Sequence, residues 1–236
     1  MRAGRDCPLD YRLTRDAFSG EPLFECDTLY VVGGLYGNRQ ALAALQRRLA
    51  AEPKARVVFN GDAHWFDRDP QIFQQIEQGI SAHLALRGNV ETELGRADDS
   101  GAGCGCAYPM TVDEAVVERS NAIQLVLNKT VQGLSGIAER LATRPSTAIV
   151  SVAGQRVAIS HGDEQSLAGW SCSRESLSEP ERQEQLDAWF TANRVQVLAT
   201  SHTCSAVALN LEHGALINNG AAGLPNFAGG RYGLLS

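Results

Sequence analysis

Long hydrophobic runs are missing from this chain of 236 residues. A helix needs roughly 18 consecutive apolar residues to cross a bilayer, and no stretch of the sequence approaches that length. The first residues, MRAGRDCPLDYRLTRD, contain no apolar segment of the kind that a secretory signal peptide requires. These absences predict a cytoplasmic protein without a membrane partner.

An excess of positive charge and a dense cysteine pattern are also missing. Lysine and arginine number 21 against 27 aspartates and glutamates, so the net charge is −6. Sequence-independent nucleic-acid binding needs clustered cations, and the composition argues against it while leaving room for a local basic pocket around a small phosphate. Six scattered cysteines are too few for a disulfide scaffold. Cys104 and Cys106 form the only close pair, read either as two loop thiols or as a redox or metal clip.

Apolar periodicity predicts an alternation of strands and helices in the first part of the chain. Strands are predicted at 28–32, 56–59 and 84–86, with helices at 38–50 and after Pro70. This rhythm indicates parallel pairing, which brings ligands to the carboxyl ends of the strands.

The remainder of the chain predicts a loop, helices and two hairpins. Further elements are predicted as a loop or lid at 92–110, one or two amphipathic helices over 112–141, a helix at 179–192, a strand at 195–199, and hairpins at 148–159 and 207–217. The chain is therefore divided into an N-terminal arm, 1–27, and a single domain, 28–236. That domain contains a helical and loop insert at about 92–142.

Short polar motifs follow four of the predicted strands. They are Gly61-Asp62, Gly88-Asn89, Ser160-His161-Gly162-Asp163 and Ser201-His202-Thr203-Cys204. Taken alone, Asp62 could cap a helix, Asn89 could serve a turn, and either histidine could belong to a hydrogen-bonded core. Their succession at four strand ends favours a shared site. A carboxylate, an amide oxygen and two imidazoles suit a divalent transition metal.

In order and spacing, these blocks resemble the calcineurin-like metallophosphoesterase superfamily from about residue 28 to residue 227. The resemblance implies an α/β fold, a four-layer αββα sandwich of two mixed β-sheets flanked by helices. It implies that Asp62 bridges two metals and that Asn89, His161 and His202 complete one metal site and carry the catalysis. The implied reaction is hydrolysis of a small phosphomonoester or phosphodiester through a metal-activated water. We expect Asn38, Asn89 and Trp65 to contact this substrate.

The other metal position departs from the pattern. Gly34, Tyr36 and Cys204 stand where the resemblance implies an aspartate and two histidines. Glycine has no side chain, and Tyr36 and Cys204 are only weak candidate ligands. Val90 replaces a histidine that often serves as the general acid in this superfamily. The prediction is therefore a single divalent ion (Mn, Zn, Fe or Ni) rather than two, with impaired hydrolysis.

Two alternatives remain open from the sequence. A non-catalytic protein of the same fold would bind a metal or a phosphorylated ligand without turnover. A dinucleotide-binding oxidoreductase would use the glycine turn at 33–37, but Val32 stands where that motif needs its first glycine. An uncovered sheet edge near the C-terminus would favour a homodimer.

Overall fold

The computed structural model describes residues 1–98, 100–224 and 234–235. The strands are β1 (Glu25–Cys26), β2 (Leu29–Val32), β3 (Arg56–Asn60), β4 (Leu84–Leu86), β5 (Thr147–Val152), β6 (Gln155–Ser160), β7 (Val197–Thr200), β8 (Val207–Asn210), β9 (Ala215–Asn218) and β10 (Leu234–Leu235). The helices are α1 (Arg39–Ala51), α2 (Pro70–Ile80), α3 (Asn89–Leu94), α4 (Glu114–Gln132), α5 (Ile137–Ala142), α6 (Arg174–Leu177) and α7 (Pro180–Asn193). Within this described part of the chain, no helix is both long and apolar enough to cross a membrane.

The strands form two mixed sheets. The smaller sheet has the order β10-β2-β3-β4, and its β2, β3 and β4 are parallel, as the strand–helix alternation predicts. The larger sheet has the order β1-β5-β6-β7-β9-β8. Its β6, β7 and β9 are parallel, while β5–β6 and β8–β9 are the two predicted antiparallel hairpins.

The two sheets pack face to face between outer layers of helices. Val31 and Val58 of the smaller sheet meet Val150 and Ile159 of the larger sheet in one buried cluster. Since side chains alternate along a strand, the neighbouring residues of β2 and β3 point outward and pack against α1 and α2. Helix α7 covers the outer face of the larger sheet. The predicted four-layer αββα sandwich is confirmed.

The predicted insert packs beside the smaller sheet. Helices α3, α4 and α5 share a core with α2, in which Phe73, Val90, Leu127 and Leu141 are fully or almost fully buried. Asp113 caps the start of helix α4, because its side chain accepts a hydrogen bond from the Ala115 N–H. This arrangement brings one face of α4 next to the carboxyl ends of the smaller sheet's strands.

The N-terminal segment is tied to the larger sheet at several points. Tyr11 and Phe18 are almost completely buried, and β1 extends the sheet by pairing parallel with β5. At the other end of the chain, β10 pairs antiparallel with β2. The resemblance extends to about residue 227, and its last residues lie outside the described part of the chain. The homodimer stays a prediction.

Candidate metal centre

The carboxyl ends of three strands bring three of the predicted ligands into contact. Asp62, His161 and His202 follow β3, β6 and β7, and their ligand atoms all lie within 4.8 Å of one another. The Asp62 Oδ2 atom is 3.3 Å from His161 Nε2, which is 3.2 Å from His202 Nδ1. All three side chains are buried. The sequence-predicted residues therefore form one compact cluster.

Backbone carbonyls fix the orientation of both histidine rings. His161 Nδ1 lies 2.7 Å from the Asn60 carbonyl oxygen, and His202 Nε2 lies 2.9 Å from the Cys106 carbonyl oxygen. Because a carbonyl oxygen can only accept, each of these nitrogens carries a hydrogen. The opposite nitrogen of each ring therefore faces the cluster, as metal-ligating histidines require.

Asn89 offers an oxygen to the same region. Its Nδ2 group donates to the Cys104 carbonyl at 2.9 Å, and its Oδ1 atom is buried with no hydrogen-bond partner among the described residues. An unsatisfied buried oxygen is costly, and a cation would remove that cost. Asn89 lines the same cavity as Asp62 and His202. The four donor groups together fit a divalent transition metal.

Burial and mutual charge shift the pKa values of all three clustered side chains. Burial opposes the charged form of His161, but the nearby Asp62 carboxylate outweighs burial and raises the pKa of that histidine. Burial would likewise raise the pKa of Asp62, yet the charge of His161 and the hydrogen bond with it lower that pKa. Burial and the charge of His161 lower the pKa of His202 to about 4. His202 is therefore neutral near pH 7 and has a free lone pair.

The turn that carries Asp62 is held by a buried carboxylate. Glu91 accepts hydrogen bonds from the backbone N–H groups of Asp62 at 2.8 Å, Ala63 at 2.7 Å and Gly88 at 2.8 Å. Asp62 has a φ of 54°, an uncommon conformation for a residue with a side chain. The sequence analysis assigned no role to Glu91. Its burial in α3 becomes visible only in the structure.

The segment predicted as a loop or lid contains a buried wall of the site. The carbonyls of Cys104 and Cys106 hold Asn89 and His202, and the Trp170 Nε1–H donates to the Cys106 carbonyl at 2.9 Å. Gly105, between the cysteines, has a φ of +64°, and a Cβ there would lie 2.1 Å from the Tyr11 hydroxyl oxygen. Both cysteines are free thiols, and in the described structure neither joins the metal-ligand group.

Tyr36 and Cys204, which stand where the resemblance implies histidine ligands of the other metal, contact each other. The Tyr36 hydroxyl lies 2.8 Å from the Cys204 sulfur, and a Cβ at Gly34 would lie 2.4 Å from Tyr36 Cε1. The ring of Tyr36 thus fills the space that a side chain at position 34 would need. Burial raises the pKa of Tyr36 well above its usual value and raises that of Cys204 to about 12. In the absence of a cation, both groups are therefore protonated near pH 7.

Two cavities bear on the predicted substrate contacts. The metal-centre cavity has a volume of about 280 Å³, and Trp65 and Val90 line it. Asn38 is not among its lining residues. Its Oδ1 atom caps α1 by accepting from the Ala41 N–H, and its Nδ2 group donates to the Gly223 carbonyl. A larger open cleft of about 1030 Å³, between the N-terminal segment and α7, contains none of the four candidate ligands.

Comparison with known proteins shows similarity at the level of structure. No protein-family model matches the chain, and a search of curated proteins found no relative. Similar solved structures include hypothetical protein PH1004 of Pyrococcus horikoshii OT3, with a TM-score of 0.59, 14% identity, and coverage of 83% of this chain and 78% of that one. A metallophosphoesterase of Sphaerobacter thermophilus has a TM-score of 0.53 and 13% identity, with 84% and 77% coverage. A mutant cold-active protein tyrosine phosphatase has a TM-score of 0.50 and 15% identity, with 98% and 83% coverage.

Proposed function

We propose that this chain, which has the fold of the calcineurin-like metallophosphoesterases, is a metal-dependent phosphoesterase. Its substrate would be a small phosphomonoester or phosphodiester. The observation that carries the proposal is the convergence of Asp62, His161 and His202, whose ligand atoms lie within 4.8 Å of one another. This fold and this ligand group together favour phosphoester hydrolysis over the dinucleotide-binding alternative, in which the two histidines would have no role.

Asp62, Asn89, His161 and His202 would hold one divalent transition metal ion, such as Mn, Zn, Fe or Ni. When bound, such an ion polarises a phosphoryl oxygen and lowers the pKa of water. The protein's contribution is to hold the donors in place before the substrate arrives. The Asn60 and Cys106 carbonyls orient the two rings, and Glu91 fixes the backbone of Asp62.

The Tyr36–Cys204 contact supports a single ion rather than a pair. Two-metal sites hold their ions about 3.5–4 Å apart and clamp both the attacking and the leaving oxygen. Here Gly34 offers no ligand atom and a side chain at that position would meet the Tyr36 ring, and Val90 supplies no proton for a leaving group. We therefore expect slow hydrolysis that favours esters of acidic alcohols, which depart without a proton donor.

The experiment is hydrolysis of p-nitrophenyl phosphate and bis-p-nitrophenyl phosphate with added Mn²⁺, Fe²⁺, Ni²⁺ or Zn²⁺. We expect metal-dependent turnover that falls at least about 100-fold in Asp62→Asn, as loss of a metal ligand implies. Asp187→Asn is the matched control, because Asp187, Glu212 and His213 form another group of ligand atoms at the surface. Absence of metal-dependent turnover with both esters, in a folded protein, would overturn the proposal.

A second candidate function is binding without turnover. Gly34 and the protonated Tyr36–Cys204 pair favour it, because they remove one half of a two-metal site. Such a protein would bind Mn²⁺ through Asp62 and His202, and inorganic phosphate beside that ion, yet cleave neither ester. Calorimetric titration of both ligands beside the hydrolysis assay separates the two candidates.

A further inference from the structure

A second cavity shares a wall with the metal-centre cavity. Its volume is about 480 Å³, and Trp65 lines both cavities. Helix α4 also runs along both, because Val116 lines the metal-centre cavity while Arg119, Ile123 and Val126 line the second cavity. These α4 residues are three or four positions apart and therefore lie on one face of the helix. We call this second cavity, which is separate from the open cleft of about 1030 Å³, the α4 groove.

The α4 groove is apolar and partly open to solvent. Phe66 is 49% exposed and Val126 is 44% exposed, although both are large hydrophobic residues. Phe66 packs edge-to-face against Tyr36, which lines the metal-centre cavity, with ring centroids 6.0 Å apart. Phe66 also lies against Trp65, with centroids 6.1 Å apart. A continuous aromatic surface thus leads from the metal centre into the groove.

The charge at the groove attracts a molecule that carries a negative group beside its hydrocarbon part. Arg68 and Arg119 are exposed and line it, and none of the described residues lining it is acidic. Apolar surface beside two guanidinium groups complements a molecule with a hydrocarbon part and a negative charge. The volume is within the range of about 300–1,000 Å³ that is typical of small-molecule sites.

We propose that the substrate is an amphipathic phosphoester, whose phosphate enters the metal-centre cavity and whose alkyl or aryl group lies in the α4 groove. This inference rests on the proposed function and specifies its substrate class. The metal-centre cavity, at about 280 Å³, is slightly smaller than the roughly 300–1,000 Å³ of typical small-molecule sites, so a long hydrocarbon group would extend beyond it. The α4 groove is the extension that Trp65 and one face of α4 join to it.

The test compares the binding of n-octyl phosphate and ethyl phosphate to the full chain loaded with Mn²⁺, measured by calorimetry. Each buried methylene group strengthens binding about fourfold, so we expect n-octyl phosphate to bind about 30-fold or more tightly than ethyl phosphate even in a half-open groove. Val126→Asp places a charge in the groove and should reduce that ratio at least tenfold. Phe66→Ala, a second variant at an exposed position, should reduce it about threefold or more.

Leu125→Asp is the matched control. Leu125 is the neighbour of Val126 on α4, is 62% exposed and does not line the groove. It receives the same charge on the same helix, and the ratio should stay within about twofold of wild type.

Equal affinity of the wild-type protein for the two esters would overturn the inference. An equal loss of the ratio in Leu125→Asp and Val126→Asp would overturn it as well. Val126→Asp could instead dissociate a dimer in sedimentation, or abolish binding to anionic lipid vesicles, while n-octyl phosphate affinity stays unchanged. Either result would overturn the inference and assign the groove to a second copy or to a membrane. Failure of the proposed function looks different: n-octyl phosphate binds with the expected ratio, and neither p-nitrophenyl ester is hydrolysed.

Discussion

The hydroxyl of Tyr36 lies 2.8 Å from the thiol of Cys204, across 168 residues of sequence. Both residues depart from the ligand pattern that the resemblance implies, and each satisfies the other's polar group. Gly34 is the third departure, and it leaves the space that the Tyr36 ring occupies. Gly34, Tyr36 and Cys204 therefore pack together, at the three positions where the resemblance implies metal ligands.

The first prediction concerns Tyr36 as a ligand. Tyr36→Phe should leave Mn²⁺ affinity within about threefold of wild type, because the Tyr36 hydroxyl is hydrogen-bonded with the Cys204 sulfur. It should lower the free energy of unfolding by about 1 kcal/mol or less, since the Cys204 thiol loses the Tyr36 hydroxyl but keeps the His202 carbonyl as a hydrogen-bond partner. Calorimetry and denaturant unfolding measure the two effects. A loss of affinity of about tenfold or more would instead make Tyr36 a ligand.

The second prediction concerns the space beside Gly34. Gly34→Ala should lower the free energy of unfolding by about 1–3 kcal/mol, because the new methyl group meets the Tyr36 ring. In a Tyr36→Ala background the same change should cost less than half as much, which a double-mutant cycle measures. Gly20→Ala is the control, since no atom lies within 4 Å of where its Cβ would stand. Additive costs would show that the two positions are independent.

The third prediction concerns the loop that carries the Cys104 and Cys106 carbonyls. Gly105→Ala should weaken Mn²⁺ binding about tenfold, because displacement of this loop releases the orienting contacts on Asn89 and His202. Gly101→Ala is the matched control: its φ of +72° is similar to the +64° of Gly105, but its Cβ would meet no atom within 4 Å. Both variants should lose stability from the backbone conformation, and only Gly105→Ala should lose metal affinity. Equal Mn²⁺ affinities of the two variants would show that this loop does not orient Asn89 and His202 for metal binding.

The fourth prediction concerns the acid side of the stability profile. Glu77 is buried against His64, whose Nε2 lies 2.8 Å from Glu77 Oε1, and against Arg144. Burial alone would raise the pKa of Glu77, but the hydrogen bond and charge of His64, with the charge of Arg144, outweigh burial and lower that pKa to about 2. The contribution of the Glu77 carboxylate to the free energy of unfolding is therefore fully present above its unfolded pKa of about 4.5. It is lost as the pH falls towards 2.

Wild type should accordingly exceed Glu77→Gln in unfolding free energy by about 3 kcal/mol near pH 6, and the difference should shrink between pH 4.5 and pH 2. Urea unfolding at several pH values measures this difference. Glu184→Gln, at an exposed position of α7, should show a difference near zero throughout. A difference for Glu77→Gln that does not depend on pH would contradict the assignment.

The sequence contained enough information to predict the layers and the centre of the site. Apolar spacing marked α1 and α2, and the carboxyl ends of parallel strands meet, so Asp62, His161 and His202 were expected to converge. Helix α3 was not predicted, because it has six residues and begins directly after Gly88, which has no capping side chain. Asn38, which we expect to contact the substrate, caps α1 in the structure, a role that an asparagine directly before a helix commonly has.

Other features depend on contacts that local patterns do not encode. Glu91 accepts hydrogen bonds from three backbone N–H groups. Every residue except proline has such a group, so the residue types around Glu91 do not predict these bonds. The Cys106 carbonyl reaches His202 across 96 residues, so only the folded chain reveals it. For the same reason, Tyr36 and Cys204 could be recognised as departures from a pattern, but their mutual contact could not be predicted.

The most direct test of a single-ion phosphoesterase is to titrate Mn²⁺ into metal-free protein while following hydrolysis of bis-p-nitrophenyl phosphate, at a protein concentration well above the dissociation constant. We expect activity to rise linearly and to stop rising at one equivalent of Mn²⁺ per chain, and to be absent throughout in His202→Ala. A rise that continues to two equivalents, or activity that persists in His202→Ala, would contradict the account.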